Sequence, residues 1–385
     1  MTSRKIKTTH VGSLPRPQWF LDTWQYSQQE TAEQDKSALK RAVKEVVDMQ
    51  AEIGLDIVND GEMSKPTYAT YITSRLNGFS EGDQGKIDKK AIILADLGEY
   101  PEVIQRMIET GSIDPNEPRL CCTGKVTPSA ASHSKVMQDL DCLQSALQSH
   151  PDCQGFMSAA SPGVISVFQQ NQFYETQDAY LEDTAEAMRL EYEAIVNAGL
   201  ILQLDCPDLA MNRHLEYSAS SDDEFVKSVS RNIEVLNHAT RNIPAEQMRM
   251  HVCWGNYEGP HHRDIPLRKI IATVIQAKPA GLLIECANPR HAHEAEVFEK
   301  FKLPDDKYLV PGVIDTCTNY VEHPDLVAQR ILRFVALVGM ERVLAGTDCG
   351  FATFAKCPSV FPRIAEAKLH SLVKGAQIAS EKLSR

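Results

Sequence analysis

The 385-residue sequence has no continuous apolar stretch of about 18 residues, the length at which a membrane-spanning helix would be expected. Residues 1–7 also lack the apolar core of a secretion signal. The ten cysteines show no regular spacing, which argues against a disulfide framework. These absences predict a cytoplasmic protein with reduced thiols. Most of these cysteines are predicted to be packing or surface residues.

Positive charge is outnumbered by negative charge. Lysine and arginine number 40 against 52 aspartate and glutamate residues, so the net charge is -12. Because nucleic acids and anionic membranes attract basic surfaces, neither is a predicted partner. Small molecules are the predicted partners, and the sequence leaves open whether chains assemble into a homo-oligomer.

Amphipathic helices alternate with short apolar strands along the chain. The three- and four-residue spacing of apolar side chains predicts helices, which cover about 31–53, 181–196, 223–241, 266–277 and 324–338. Each helix leads into an apolar strand, and these strands cover 55–58, 200–205, 248–253, 281–285 and 343–347. Alternating units of this kind predict a parallel sheet with helices outside.

The number of these units favours an α/β fold of the closed (β/α)8 type, a TIM barrel, over an open sheet. The absence of a glycine-rich phosphate loop after any strand weakens the open alternative. The whole chain, 1–385, is therefore predicted to form one barrel domain. The polar region 80–120 is predicted to be a small insertion or lid.

The strand ends carry reactive side chains, and in parallel barrels catalytic groups lie at the carboxyl ends of the strands. In chain order these strand ends are Thr9-His10-Val11-Gly12-Ser13, Asn59-Asp60-Gly61-Glu62, Asp205-Cys206-Pro207, His251-Val252-Cys253, Glu285, Asp315 and Asp348-Cys349. Turn chemistry explains any single aspartate or glycine. It does not explain thiols and imidazole at several strand ends.

Four of these residues have the side chains of a zinc site. His251 and Cys253 are two apart on a strand, so they project to the same side. Glu285 ends an apolar run and needs a partner if it is buried. Taken alone, the His-x-Cys pair also fits chance, and Cys349 also fits a small core residue. If their strands are neighbours, the four side chains converge on one ion.

Together these motifs resemble the catalytic half of cobalamin-independent methionine synthase and its stand-alone single-barrel relatives. The resemblance runs from His10 to the last barrel unit and implies a zinc-dependent enzyme. It assigns the zinc ligands to His251, Cys253, Glu285 and Cys349. It also implies that Glu62 and Asp205 bind the amino group of a homocysteine-like thiol, with Ser13 in the same pocket.

The sequence departs from the methionine synthases at Cys317, where they have a histidine thought to donate a proton. This departure puts methyltetrahydrofolate in doubt as the alkyl donor. Asp315 and His261 are the predicted catalytic acids, with His262 and Tyr257 as further candidates, although His261-His262 also fits an exposed loop pair. The segments 253–261 and 318–324 look more like the branch that includes epoxyalkane:coenzyme M transferase.

The predicted function is therefore a zinc-dependent S-alkyltransferase that transfers a methyl or alkyl group to a homocysteine-like thiol. The main alternative is epoxide opening by coenzyme M, whose sulfonate calls for arginine or lysine. Arg16, Lys65 and Arg290 are available for that role. A metal-free lyase resembling uroporphyrinogen decarboxylase needs more arginines at the barrel mouth, and a non-catalytic zinc protein is the remaining alternative.

Overall fold

The computed structural model describes residues 5–26, 32–87, 94–110, 119–355 and 358–384. Residues 1–4 of the N-terminal segment, and parts of the predicted insertion at 80–120, lie outside this description. The helices are α1 Gln18–Tyr26, α2 Ala32–Ile53, α3 Pro101–Glu109, α4 Ser132–Leu147, α5 Pro162–Phe168, α6 Gln177–Asn197, α7 Asp222–Ala239, α8 Leu267–Val274, α9 Val297–Lys300, α10 Pro324–Val338 and α11 Pro362–Leu383. The strands are β1 Ile57–Val58, β2 Leu76–Ser80, β3 Cys121–Pro128, β4 Gln154–Ala160, β5 Ile201–Asp205, β6 Met248–Val252, β7 Gly281–Ile284, β8 Tyr308–Ile314 and β9 Gly346–Thr347.

Seven parallel strands form one curled sheet in the order β1-β4-β5-β6-β7-β8-β9. The N-terminal segment joins its two edges. The Ile57 N–H donates to the Thr8 carbonyl at 3.1 Å, and the Thr9 N–H donates to the Ala345 carbonyl at 2.9 Å. This segment fills the eighth position between β1 and β9, so the predicted (β/α)8 barrel is confirmed.

The buried strands show why the apolar runs in the sequence predict this architecture. Every residue of β6 and β7 is buried, because parallel strands of a barrel pack against helices outside and side chains inside. Helix α8 is shorter than the predicted 266–277. It ends at Val274, and the chain then tightens into a turn in which the N–H groups of Gln276 and Ala277 donate to the carbonyls of Thr273 and Val274.

The insertion begins and ends at a separate two-stranded sheet. Strand β2 pairs antiparallel with β3 and belongs to no part of the barrel sheet. Of the predicted excursion, residues 80–87, 94–110 and 119–120 are described, and its role as a lid stays a prediction. Within the described ranges, no helix is long and apolar enough to cross a membrane.

Candidate active site

Two thiols and an imidazole meet at the carboxyl ends of β6 and β9. His251 lies in β6, Cys253 follows it, and Cys349 follows β9. The Sγ atoms of the two cysteines are 3.9 Å apart, and a ring nitrogen of His251 and both sulfurs all lie within 4.8 Å of one another. Two thiolates on a tetrahedral zinc ion with Zn–S bonds of about 2.3 Å are about 3.8 Å apart. The donor set and its spacing therefore fit zinc.

Glu285, the fourth predicted ligand, lies outside that group. Its Oε1 accepts a hydrogen bond of 2.9 Å from the Trp254 N–H, and its Oε2 accepts one of 3.0 Å from the side-chain amide of Asn288. Burial raises the pKa of this carboxyl well above its ordinary value. Since Trp254 directly follows Cys253, the carboxylate is held beside the metal-binding loop, and its role as a ligand stays a prediction.

Asp348 supports this part of the site although it is not among the predicted site residues. Its carboxylate accepts hydrogen bonds of 2.8 Å from the backbone N–H groups of Cys286, Ala287 and Asn288. Its main-chain oxygen lies 3.2 Å from His251 Nε2. This residue therefore joins the loop after β7 to the end of β9. The sequence places Asp348 at a strand end but gives no sign of this supporting role.

The predicted substrate residues lie against the thiol pair. Asp205 Oδ1 is 3.6 Å from His251 Nδ1. A Cβ atom added at Gly350 would lie 2.0 Å from Ser13 Oγ, so the Ser13 hydroxyl packs directly onto the residue after Cys349. The structure thus brings Ser13 and Asp205 to the same end of the barrel as the candidate metal ligands.

Glu62 completes this group from the end of β1. A Cβ atom added at Gly12 would lie 2.5 Å from Glu62 Oε1, and the same oxygen accepts a 2.7 Å hydrogen bond from Ser158 Oγ. The pKa of Glu62 is raised, first by burial, with Lys65 acting in the opposite direction and Asp205 in the same direction. Two buried carboxylates therefore share one pocket and repel each other.

Two of the candidate cations for a sulfonate, Arg16 and Lys65, are committed to other contacts. Arg16 donates to the main-chain oxygens of Leu14, Glu62, Lys65 and Ala352, at 3.4, 2.6, 2.8 and 2.8 Å. Lys65 Nζ lies 2.5 Å from the main-chain oxygen of Ser158 and 3.1 Å from its hydroxyl. Arg290, the third candidate cation, is exposed.

The predicted proton donor Asp315 is tied into its own turn. Its carboxylate accepts hydrogen bonds from the Cys317 N–H at 3.2 Å, from the Thr318 N–H at 2.9 Å and from the Thr318 hydroxyl. The thiol of Cys317 contacts Asn256 Oδ1 at 3.1 Å. Asp315 therefore stabilises the loop after β8, and its role as an acid stays a prediction.

The other three candidate acids also have partners. His261 lies 3.0 Å from Asp264 and is buried. Tyr257 donates its hydroxyl proton to Asp96. His262 is exposed and contacts Glu99 at 3.1 Å. The prediction that both histidines are exposed loop residues is therefore correct for His262 and wrong for His261.

Comparison with known proteins adds a family and a fold. The family described as "Cobalamin-independent synthase, Catalytic domain" matches residues 6–150 and 163–374. Methionine synthase of Saccharolobus solfataricus is 24% identical, covering 99% of this chain and 96% of that protein. Methionine synthase of Sulfolobus acidocaldarius is also 24% identical, covering 99% and 94%.

Solved structures share the same fold. A B12-independent methionine synthase from Shewanella sp. W3-18-1, solved in complex with selenomethionine, superposes with a TM-score of 0.73 at 18% identity, covering 99% of each chain. A putative vitamin-B12 independent methionine synthase from Listeria monocytogenes gives 0.66 at 18% identity, covering 97% and 98%. At this level of identity, the likeness concerns the fold alone.

Proposed function

Since the chain belongs to the family of the cobalamin-independent synthase catalytic domain, we propose that it is a zinc-dependent S-methyltransferase that acts on a homocysteine-like thiol. The pair of sulfurs at 3.9 Å, with the imidazole of His251 beside them, carries this proposal. The methionine synthases among its relatives are in keeping with the transfer of a methyl group to a thiol.

His251, Cys253 and Cys349 would hold the zinc ion, with Glu285 as the proposed fourth ligand. Zinc at this position would supply the substrate as a thiolate near neutral pH, where a free thiol with a pKa of about 8.5 is mostly protonated. The hydrogen bond with Cys349, followed by burial, raises the pKa of Cys253 well above its ordinary value. A bound cation would offset that cost, because it favours thiolate ligands.

The buried carboxylates of Glu62 and Asp205 favour a thiol that carries an ammonium group. The charge of Asp205 adds to burial in raising the pKa of Glu62, and an ammonium group between the two carboxylates would relieve that repulsion. Ser13, packed against Gly350, offers a hydroxyl at the side of the pocket nearest Cys349. These residues bind and orient an amino thiol so that its sulfur faces the metal ligands.

The same pocket disfavours the main alternative, epoxide opening by coenzyme M. A sulfonate needs a free cation, whereas Arg16 and Lys65 are bound to main-chain oxygens and Arg290 is exposed. Metal analysis distinguishes the metal-free lyase from the zinc-binding alternatives. An alkyl-transfer assay distinguishes the non-catalytic zinc protein from the enzymes. The proposed partners are a small thiol and an alkyl donor. The proposed location of the protein is the cytoplasm.

Titration of the zinc-loaded protein with homocysteine and with coenzyme M tests this function, with the zinc X-ray absorption edge as the readout. We expect homocysteine to shift the edge at concentrations where coenzyme M does not. The Cys349→Ser variant is the matched control and should lose the response. A response to coenzyme M alone, or a protein that binds no zinc, would contradict the proposal.

A further inference from the structure

A second group of metal-binding side chains lies in the loops that follow β6 and β7. His261 Nδ1 is 3.0 Å from Asp264 Oδ2, and His291 Nε2 is 2.8 Å from the same oxygen. The three ligand atoms lie within 4.8 Å of one another, and the most exposed of the three side chains is His261, at 11%. The proposed thiol chemistry uses none of these three side chains.

The outer contacts of the two imidazoles define where their hydrogens lie. His261 Nε2 is 3.0 Å from the main-chain oxygen of Tyr257, which can only accept, so this nitrogen carries a hydrogen. In the neutral ring, Nδ1 then turns a lone pair towards Asp264. His291 Nδ1 faces Glu294 Oε2 at 3.0 Å, so its neutral ring also turns a lone pair towards Asp264. Lone pairs directed at a carboxylate oxygen repel it unless a proton or a metal ion lies between them.

The surroundings of the cluster match those of protein metal sites. A ligating histidine donates its other N–H to a carboxylate or a main-chain oxygen, and a ligating carboxylate is itself hydrogen-bonded. Glu294 and the Tyr257 carbonyl take these positions for the two histidines. The second oxygen of Asp264 contacts His214 Nε2. Each of the three side chains therefore has the outer partner expected of a metal ligand.

From this geometry, we propose that His261, Asp264 and His291 bind a second zinc ion. Two imidazole nitrogens and one carboxylate oxygen form a donor set that zinc accepts. Because the three side chains are buried, the site stabilises the loops rather than binding substrate. This inference is independent of the proposed thiol chemistry, which uses the other cluster.

Protons are the competing occupants of the same positions. Without a metal ion, each imidazole that faces two acceptors would have to be doubly protonated. The cluster would then balance three imidazolium rings against three carboxylates, namely His214, His261 and His291 against Asp96, Asp264 and Glu294. A zinc ion replaces two of those protons with a single buried cation.

The second ion would stabilise the loop that carries the first site. The ring of Trp254 packs on His291 with centroids 4.5 Å apart, and the Trp254 N–H donates to Glu285. Asp96, in the insertion, accepts a 2.8 Å hydrogen bond from the His261 N–H. The proposed zinc ion would thus hold together the insertion and the loops after β6 and β7.

Metal stoichiometry of the full chain tests the proposal, using equilibrium dialysis against Zn²⁺ followed by elemental analysis. We expect two zinc ions per chain in the wild type and one in the His261→Gln/His291→Gln variant. The matched control is His262→Gln/His293→Gln, which alters exposed neighbours and should keep two. A wild type whose zinc content equals that of His261→Gln/His291→Gln would overturn the proposal and favour protons as the occupants.

The Cys253→Ser/Cys349→Ser variant distinguishes this proposal from the proposed function. It should bind one Co²⁺ ion with a ligand-field spectrum that lacks the thiolate charge-transfer band. This measurement leaves the histidine cluster intact, so it holds even if His261→Gln/His291→Gln fails to fold. Failure of this variant to bind cobalt would overturn the second site. If the metal content of the Cys253→Ser/Cys349→Ser variant equals that of the wild type, while His261→Gln/His291→Gln loses metal, only the thiol-bound zinc is overturned.

Discussion

The Nδ1 atom of His251 lies 3.6 Å from Oδ1 of Asp205, because their strands, β6 and β5, are paired in register at these two residues. This contact joins the candidate metal centre to the carboxylates proposed to bind the substrate amine. A thiol bound through its amino group would therefore reach the metal ligands across a single pair of neighbouring strands.

Removing one thiol should abolish tight zinc binding at the cysteine site. We expect Cys349→Ser to weaken zinc binding there by more than the roughly 10- to 100-fold that loss of an outer partner costs, and to remove alkyl transfer. Competition with a chromophoric chelator measures the affinity. Cys142→Ser, in the core side of helix α4, should keep both properties, and equal zinc affinity in the two variants would contradict the site.

Neutralising the substrate carboxylates should weaken recognition of the amine. For Asp205→Asn and Glu62→Gln, we expect KM for homocysteine to rise roughly 10- to 100-fold, the equivalent of one charge-assisted hydrogen bond. The KM for 3-mercaptopropionate, which has no amine, should change little. Steady-state kinetics with both thiols measure the difference. Asp56→Asn, at the opposite end of β1, is the control, and an equal rise for both thiols would exclude the amine-binding role.

Asp208 should make stability depend on pH in the opposite sense to most carboxylates. Burial raises its pKa from 3.8 to about 6. The folded state therefore binds this proton more tightly than the unfolded chain, and ionisation costs stability above pH 6. That cost disappears as the pH falls from about 6 towards 4.

Asp208→Asn should remove this cost. The amide can still accept from Ser161 Oγ, and Asn232 Oδ1, which has no hydrogen-bond partner among the described residues, can turn to accept its N–H. We expect stabilisation of up to about 3 kcal/mol at pH 8 and almost none at pH 4. Urea unfolding at the two pH values measures both. The same difference at pH 8 and pH 4 would refute the raised pKa.

The guanidinium of Arg75 should be essential for stability. It lies 3.0 Å from Glu191 Oε1 and also contacts Asp139, and all three side chains are at most 6% exposed. Arg75→Met leaves two buried carboxylates without the cation that pairs them, so we expect a loss of about 3–5 kcal/mol in the free energy of unfolding.

The comparison variant for Arg75 is Arg41→Met, which breaks the exposed pair with Glu45. We expect it to cost about 0.5 kcal/mol or less. Urea unfolding compares the two variants at one pH. Equal losses would mean that burial of the Arg75 cluster contributes nothing to its energetics.

Local patterns in the sequence were sufficient to predict the barrel. Apolar spacing identified helices such as α2 and α10, and continuous apolar runs identified β5, β6 and β7, because these signals depend only on neighbours along the chain. The pair His251 and Cys253 was predictable for the same reason, since alternate residues of a strand project to one side. Cys349 was predicted from its place at the end of another apolar run, and the family resemblance assigned it to the same zinc site.

What the sequence determined by itself is the alternation of strands and helices, and hence the end of the barrel at which reactive side chains gather. The tertiary structure alone decided which of those side chains meet in the candidate site and which bind to other parts of the chain. Cys253 and Cys349 meet across 96 residues, Asp315 turns into its own loop, and adjacent His261 and His262 have opposite exposures. The hydrogen bonds and the burial of a loop residue depend on segments far apart in the chain. Short-range sequence patterns therefore cannot predict them.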